Sequence, residues 1–211
     1  MERLKTEALS AQLFEIGAIK FGAFRLKLHD THPEAPLSPI YIDLRMLRRF
    51  PQAKLAAVNV YCELIAPLKF DLLADIPTAA TPLVASLSDR LKIGMITPRT
   101  DAKAHGTGAK IDGFFNSDKG KVVLLIDDLV TKADSKLEAA KILIQNGLIV
   151  GDVVVLIDRE QGGKSQLEEA GLKLHSALTM QQMLDYYLET GTINDLQYED
   201  TMEKLKWLNN V

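Results

Sequence analysis

Val122-Val-Leu-Leu-Ile-Asp-Asp-Leu-Val-Thr-Lys-Ala-Asp-Ser135 decides the reading of this chain. The unbroken apolar run from Val122 to Ile126 has the length of a buried strand. It leads into two adjacent carboxylates, Asp127 and Asp128, and then into a short polar turn that opens a helix. This layout suits a sugar phosphate. Neighbouring acids at the carboxyl end of a strand can accept hydrogen bonds from a ribose diol, while the amides and hydroxyls of residues 131–135, at the positive end of the next helix, can hold a phosphate. A plainer alternative stays open at this point: a strand that happens to end in Asp-Asp, with Asp134 or Ser135 only capping the helix.

Working outward, a helix is expected over Ser135 to Asn146, closed by Gly147, and a buried strand over Val153 to Ile157. Upstream, Phe70 to Ala74 and Ile93 to Ile96 read as short buried strands separated by a helix at Pro82 to Leu91. Such alternation implies right-handed βαβ crossovers, hence an α/β fold with a central, mostly parallel sheet flanked by helices. Nearer the start, a helix over Leu4 to Ile16 stops at Gly17, strands follow at Phe21 to Lys27 and Ile40 to Asp43, and Pro51 opens a helix reaching Ile65. Between those strands, His29 to Pro39 carries three prolines and reads as a loop. After Asp158 come a helix at Lys164 to Ala170, a strand near Leu172 to His175, and helices at Thr179 to Glu189 and Tyr198 to Asn209. No repeat, low-complexity tract or linker divides the chain, so one domain over residues 1–211 is expected.

Bulk properties agree. A chain of 211 residues with 47% apolar content can bury one sizeable core. A net charge of −3 provides no general field for nucleic acid, so any anion site has to be local. The single cysteine, Cys62, sits in an apolar helical stretch and reads as a buried structural thiol in a reducing compartment. No apolar run approaches membrane-spanning length, and acids interrupt the first residues, so a cytoplasmic protein is expected.

A second constellation follows the strand at Ile93 to Ile96. Arg99, Lys103, His105 and Lys110 are interleaved with Gly106, Gly108 and Gly113, with almost nothing apolar before Ile111. Cations on such a loop could neutralise charge growing on a departing polyanion and exclude water. A solvated polar hairpin has the same composition.

Five segments together, in order and spacing, resemble orotate phosphoribosyltransferase of the type I phosphoribosyltransferase family. They are Phe24-Arg-Leu-Lys27, Ser38-Pro-Ile-Tyr-Ile-Asp43, Arg99-x-x-x-Lys103-x-His105-Gly, the acidic-pair segment, and Leu156-Ile-Asp-Arg-Glu-Gln-Gly-Gly163. The resemblance covers roughly residues 5–188, and its last motif is not expected in hypoxanthine, adenine or uracil enzymes. It implies a type I phosphoribosyltransferase fold with a small hood from about residues 1–45 and parts of 158–190. The helical tail 191–211 lies outside it.

The implied reaction moves phosphoribose from phosphoribosyl pyrophosphate to orotate, giving orotidine monophosphate and pyrophosphate, with Mg²⁺ (magnesium) as cofactor. Carried onto this chain, the resemblance assigns catalytic roles to Lys103, His105 and Asp128. Asp127 and Asp128 would contact the ribose, and Thr131, Lys132, Ala133, Asp134 and Ser135 would hold the 5-phosphate. Arg99, Lys103 and His105 would reach the pyrophosphate. Lys27 and Arg159 would line the base pocket, with Arg159 facing the orotate carboxylate as a planar fork can. Without the motif, Arg159 would read as a surface ion pair with Asp158 or Glu160. The resemblance also implies a homodimer with shared active sites and an association with orotidine monophosphate decarboxylase.

The chain departs from the family pattern where phosphates would bind. Lys132 and Ala133 replace small residues and a glycine, and Asp134 adds a negative charge unless it turns away as a cap. Asp75, Thr78 and Ala79 stand where relatives carry a glycine and then an aromatic-plus-lysine or similar pair, and Thr100 where many carry lysine. Up to two cations are thereby lost, which keeps open a different base or a weak or silent nucleotide-binding relative.

Overall fold

The computed structural model describes residues 3–99 and 110–209, with Lys27 described by its backbone alone. Strand order follows from the apolar runs. A six-stranded sheet is built from β3 (Leu72–Asp75), β4 (Met95–Pro98), β5 (Ile111–Asp112), β6 (Val122–Val130), β7 (Ile149–Asp158) and β8 (Lys173–Thr179). Their spatial order is β5-β4-β3-β6-β7-β8, parallel throughout except for the antiparallel β4–β5 edge. Both faces of the central strand are covered, which explains why β6 reads as a continuous apolar run and not an alternating one. Leu124 and Ile126 enter one core with Tyr61, Leu83 and Leu156, while Val123 and Leu125 enter the other with Ala139, Leu143 and Leu167.

Helices α1 (Arg3–Glu15), α2 (Pro51–Ile65), α3 (Thr81–Leu91), α4 (Asp134–Gln145), α5 (Gly163–Glu169), α6 (Met180–Glu189) and α7 (Asp195–Asn209) fall within a few residues of the expected segments. Gly17 and Gly147, at φ +71° and +88°, end α1 and α4 as left-handed stops.

A separate two-stranded antiparallel ribbon, β1 (Ile19–Phe24) with β2 (Ser38–Ile42), forms the hood. The first of these strands begins and ends earlier than the expected Phe21 to Lys27, because the ladder is set by Ile19 opposite Ile42. The proline-rich connection is more ordered than a plain loop. Lys27–Asp30 forms a 3₁₀ turn, and the buried His29 ring bonds the Pro36 carbonyl at 3.2 Å. Helix α7 packs against β2 and α6, so the tail helix covers part of the hood.

Candidate active site

The acidic pair does not follow a strand that stops at Ile126. Strand β6 runs on to Val130, with Asp127 opposite Val155, Leu129 opposite Ile157 and Val130 opposite Asp158. Both acids are therefore held by the sheet ladder, and their carboxyl groups stay close enough to interact. Asp127 is buried, and its Oδ2 lies 2.5 Å from the Nζ of Lys136, itself buried in the first turn of α4. Its Oδ1 accepts the Asp128 amide at 2.9 Å. Asp128, half-buried, accepts the Leu129 amide at 2.8 Å.

Burial pushes the Asp128 carboxyl up to about 7, and the charge and hydrogen bonding of Asp127 add to the effect; the Leu129 amide and the Lys136 ammonium oppose it. The Tyr61 hydroxyl, fully buried, donates to the Asp127 carbonyl at 2.7 Å and fixes the backbone between the acids.

Both acids line a cavity of about 370 Å³, whose opposite wall carries Asp43, Arg45, Thr78 and Ala79, with Ser135 at the helix mouth. Arg45 was not singled out from sequence, although it sits two residues beyond the Ser38–Asp43 motif. Its Nε bonds the Asp43 carboxylate at 2.6 Å, holding that acid below the usual carboxylate range, and its Nη2 reaches the Tyr41 hydroxyl at 3.1 Å. Arg48, on the same turn, donates to the Thr78 carbonyl. Two guanidinium groups thus approach the loop at residues 75–79, whose own sequence carries no cation. The Pro77–Thr78 peptide in that loop is cis.

Asp75 does not add charge to this cavity. It is fully buried at the end of β3 and accepts the hydroxyls of Thr81 and Thr97, on α3 and β4. Asp134 is no cap: Ala133 occupies the N-cap position without a side-chain bond, and Asp134 is exposed in the first turn of α4. The buried Ala133 amide is already used, donating to Gln166 Oε1 of α5 at 2.7 Å. Lys132 is exposed, and its Nζ stands 3.7 Å from where a Cβ on Gly162 would lie.

Arg159 follows β7 on the neighbouring strand end. Its amide donates to the Val130 carbonyl at 2.9 Å, while its side chain is only 8% exposed. Its Nε and Nη2 find no partner among the described residues, and burial lowers the guanidinium to about 10. The surface ion pair with Asp158 or Glu160 does not form. Asp158 accepts the Glu160 amide at 2.8 Å and the Glu160 carboxylate accepts the Gln181 amide at 2.8 Å. Arg159 also borders a cavity of about 590 Å³ walled by residues of α6 and α7, and its backbone bonds the strand that carries the acidic pair. Gln161 was missed from sequence. It is buried, and its Oε1 has no partner among the described residues.

Exposed Arg99 closes the stem of the β4–β5 hairpin, with its amide on the Lys110 carbonyl at 2.8 Å and its Nη1 3.4 Å from Asp112. Thr100, Lys103 and His105 lie outside the described residues, as does the Lys27 side chain. Among the described residues no three His, Cys, Asp or Glu side chains converge as a metal cage, and no helix is long and apolar enough to cross a membrane.

A parallel sheet that carries an acidic pair to the floor of a cavity beside a helix mouth, under a two-stranded hood, is a type I phosphoribosyltransferase fold. The chain is 37% identical to the orotate phosphoribosyltransferase of Caenorhabditis elegans, over 82% of this chain and 74% of that protein. It is also 37% identical to the bifunctional enzyme PyrF/PyrE of a Nostoc species, over 90% of this chain and 38% of the relative. The solved UMP synthase of Leishmania donovani superposes with a TM-score of 0.83 at 32% identity, covering 95% of this chain and 42% of that one. No protein-family model matches. The chain thus belongs to the orotate phosphoribosyltransferase family, and it spans about two-fifths of the length of the Nostoc and Leishmania relatives.

Proposed function

We propose that this chain transfers phosphoribose from phosphoribosyl pyrophosphate to a ring nitrogen of orotate, forming orotidine monophosphate and pyrophosphate in pyrimidine synthesis. The observation that carries the reading is the pairing, on adjacent strand ends, of two acids at an open cavity with a buried guanidinium lacking a partner among the described residues. An unpaired buried cation is unfavourable until an anion arrives, and the orotate carboxylate supplies one.

The bond from the anomeric carbon to pyrophosphate breaks with oxocarbenium character, so catalysis rests on positioning and on stabilising the leaving group, without a protein nucleophile. The ribose hydroxyls are received at the acidic pair. The 5-phosphate sits against residues 131–135, and Arg45 with the loop bearing Arg99, Lys103 and His105 serves the pyrophosphate. Lys27 and Arg159 serve the base.

Magnesium fits as a cation brought in by its substrate. It prefers oxygen ligands and keeps few protein contacts, and the described residues supply no cage for it. When bound, it neutralises pyrophosphate oxygens. The enzyme works in the cytoplasm as a homodimer whose loops complete one another's sites. It is associated with orotidine monophosphate decarboxylase, a reading supported by its matching only about two-fifths of the bifunctional enzyme PyrF/PyrE.

The test is loss of orotate absorbance in the presence of phosphoribosyl pyrophosphate and magnesium. Turnover with orotate and not with a panel of purines and uracil is expected; no turnover with orotate at saturating substrates overturns the reading.

A further inference from the structure

We infer that Lys136 is a positioning residue for the reaction: bridging the Asp127 carboxylate and the Leu129 carbonyl, it withdraws Asp127 from the sugar and leaves Asp128 as the acidic contact for the ribose. The inference rests on the proposed phosphoribosyl transfer and divides the labour within its acidic pair.

Lys136 is 4% exposed. Its ammonium has three donors, and three oxygens stand around it: Asp127 Oδ2 at 2.5 Å, the Leu129 carbonyl at 2.7 Å and Ser135 Oγ at 3.4 Å. A buried lysine in the first turn of a helix lies at the positive end of the helix dipole, where a cation is disfavoured. Helix stability therefore does not account for it, whereas neutralising a buried carboxylate does.

The two acids are left unequal. Asp127 is 5% exposed and has one oxygen on Lys136 and the other on the Asp128 amide. Both border the cavity, but Asp128 has one oxygen on the Leu129 amide and is the more exposed of the two. With Lys136 included, the pair shows the incoming polyanion one negative charge instead of two. The same ammonium ties Leu129 to Ser135, so the charge correction and the entry to the phosphate loop depend on one side chain.

The groups facing Asp128 are Asp127 beside it on β6, Lys136 from α4, the Tyr61 hydroxyl from α2 and the Asp43–Arg45 pair across the cavity. Among the described residues only Lys136 and Arg45 are cations there, and the latter is matched by its own acid. Removing Lys136 therefore drives Asp128 further toward its protonated form.

The experiment compares the pH dependence of kcat/KM for phosphoribosyl pyrophosphate in the wild type, Lys136→Met, and the double variant Asp127→Asn with Lys136→Met. In Lys136→Met the acid limb is expected to move up by about one pH unit, equivalent to a roughly tenfold loss below the limb, with KM for orotate unchanged. In the double variant, which buries no unpaired charge and so folds even if the single variant does not, the limb is expected at or below its wild-type position, with activity recovered relative to Lys136→Met. A merely structural lysine would lower activity equally at all pH values. An unmoved limb in Lys136→Met, or a double variant no more active than Lys136→Met, overturns the inference. Inactivity of the wild type itself would instead overturn the reaction assigned above.

Discussion

Gly163 lies so close to Val130 that a Cβ on the glycine would stand 2.4 Å from Val130 Cγ2 and 2.9 Å from the Thr131 carbonyl oxygen. Its amide donates to that same carbonyl at 3.0 Å. Gly163→Ala is therefore expected to push α5 away from residues 131–135 and to destabilise the fold by about 2–3 kcal/mol. Gly162→Ala meets only the tip of Lys132 and carries the backbone penalty of φ +93°, about 1 kcal/mol. Denaturant unfolding of the two variants checks the order; a Gly163→Ala protein as stable as the wild type would show that the contact yields.

Arg159 leaves two of its nitrogens without partners among the described residues while almost fully buried. Replacing it with methionine removes an uncompensated charge and keeps most of the packing. Arg159→Met should therefore raise stability by on the order of 1–2 kcal/mol while weakening orotate binding at least a hundredfold. Melting temperature and orotate calorimetry on the same preparation decide it, since loss of both would mean that the guanidinium is structural.

Asp128 ties stability to pH. Its carboxyl is raised to about 7 in the folded state from an ordinary value near 3.8, so the folded protein holds the proton more tightly than the unfolded chain. Stability from this group is complete at low pH, falls as pH rises through that window, and stays low above about 7. Relative to wild type, Asp128→Asn should gain on the order of 2 kcal/mol at pH 8 over its standing at pH 4, with solvent at the cavity mouth keeping the gain below the full shift. Urea titrations at several pH values read this difference directly.

Gln166 holds the Ala133 amide, a group with no access to water. Gln166→Leu strands that donor and is expected to cost about 1–3 kcal/mol. Gln166→Glu keeps the acceptor but adds negative charge against the phosphate loop. Its fold should hold while KM for phosphoribosyl pyrophosphate rises several-fold and KM for orotate stays put. Equal effects on both substrates would count against a local phosphate site.

The elements were legible because their apolar periods are clean. Leu4 to Ile16, Pro51 to Ile65 and Val122 to Ile126 were fixed by spacing, Gly and Pro alone. The continuation of β6 through Asp127 and Asp128 was not, since the β7 ladder imposes it on residues whose own preference is for turns. Nor could a lysine at position 136 be told from a solvated one, because only the packing of α4 on the sheet brings it to Asp127. Asp75 was placed by sequence at a cation-poor loop, and the hydroxyls of Thr81 and Thr97, one of them 22 residues away, turn it inward. Arg45 carried a faint signal, a cation just beyond a motif. Gln161 carried only its place inside the Leu156–Gly163 motif, and Gln166, an ordinary residue within a short helix, carried none.

Three bonds join the turn at residues 131–135 to the turn at residues 159–163 and the helix after it: Arg159 to the Val130 carbonyl, Gly163 to the Thr131 carbonyl, and Ala133 to Gln166. On the proposed reading, selectivity for the acceptor ring and grip on the donor are consequently coupled traits. A substitution that widens one turn to admit a new heterocycle deforms the other, so a change of substrate would have to be won by paired mutations on both sides of the seam, and single-site libraries around Arg159 should return mostly inactive proteins.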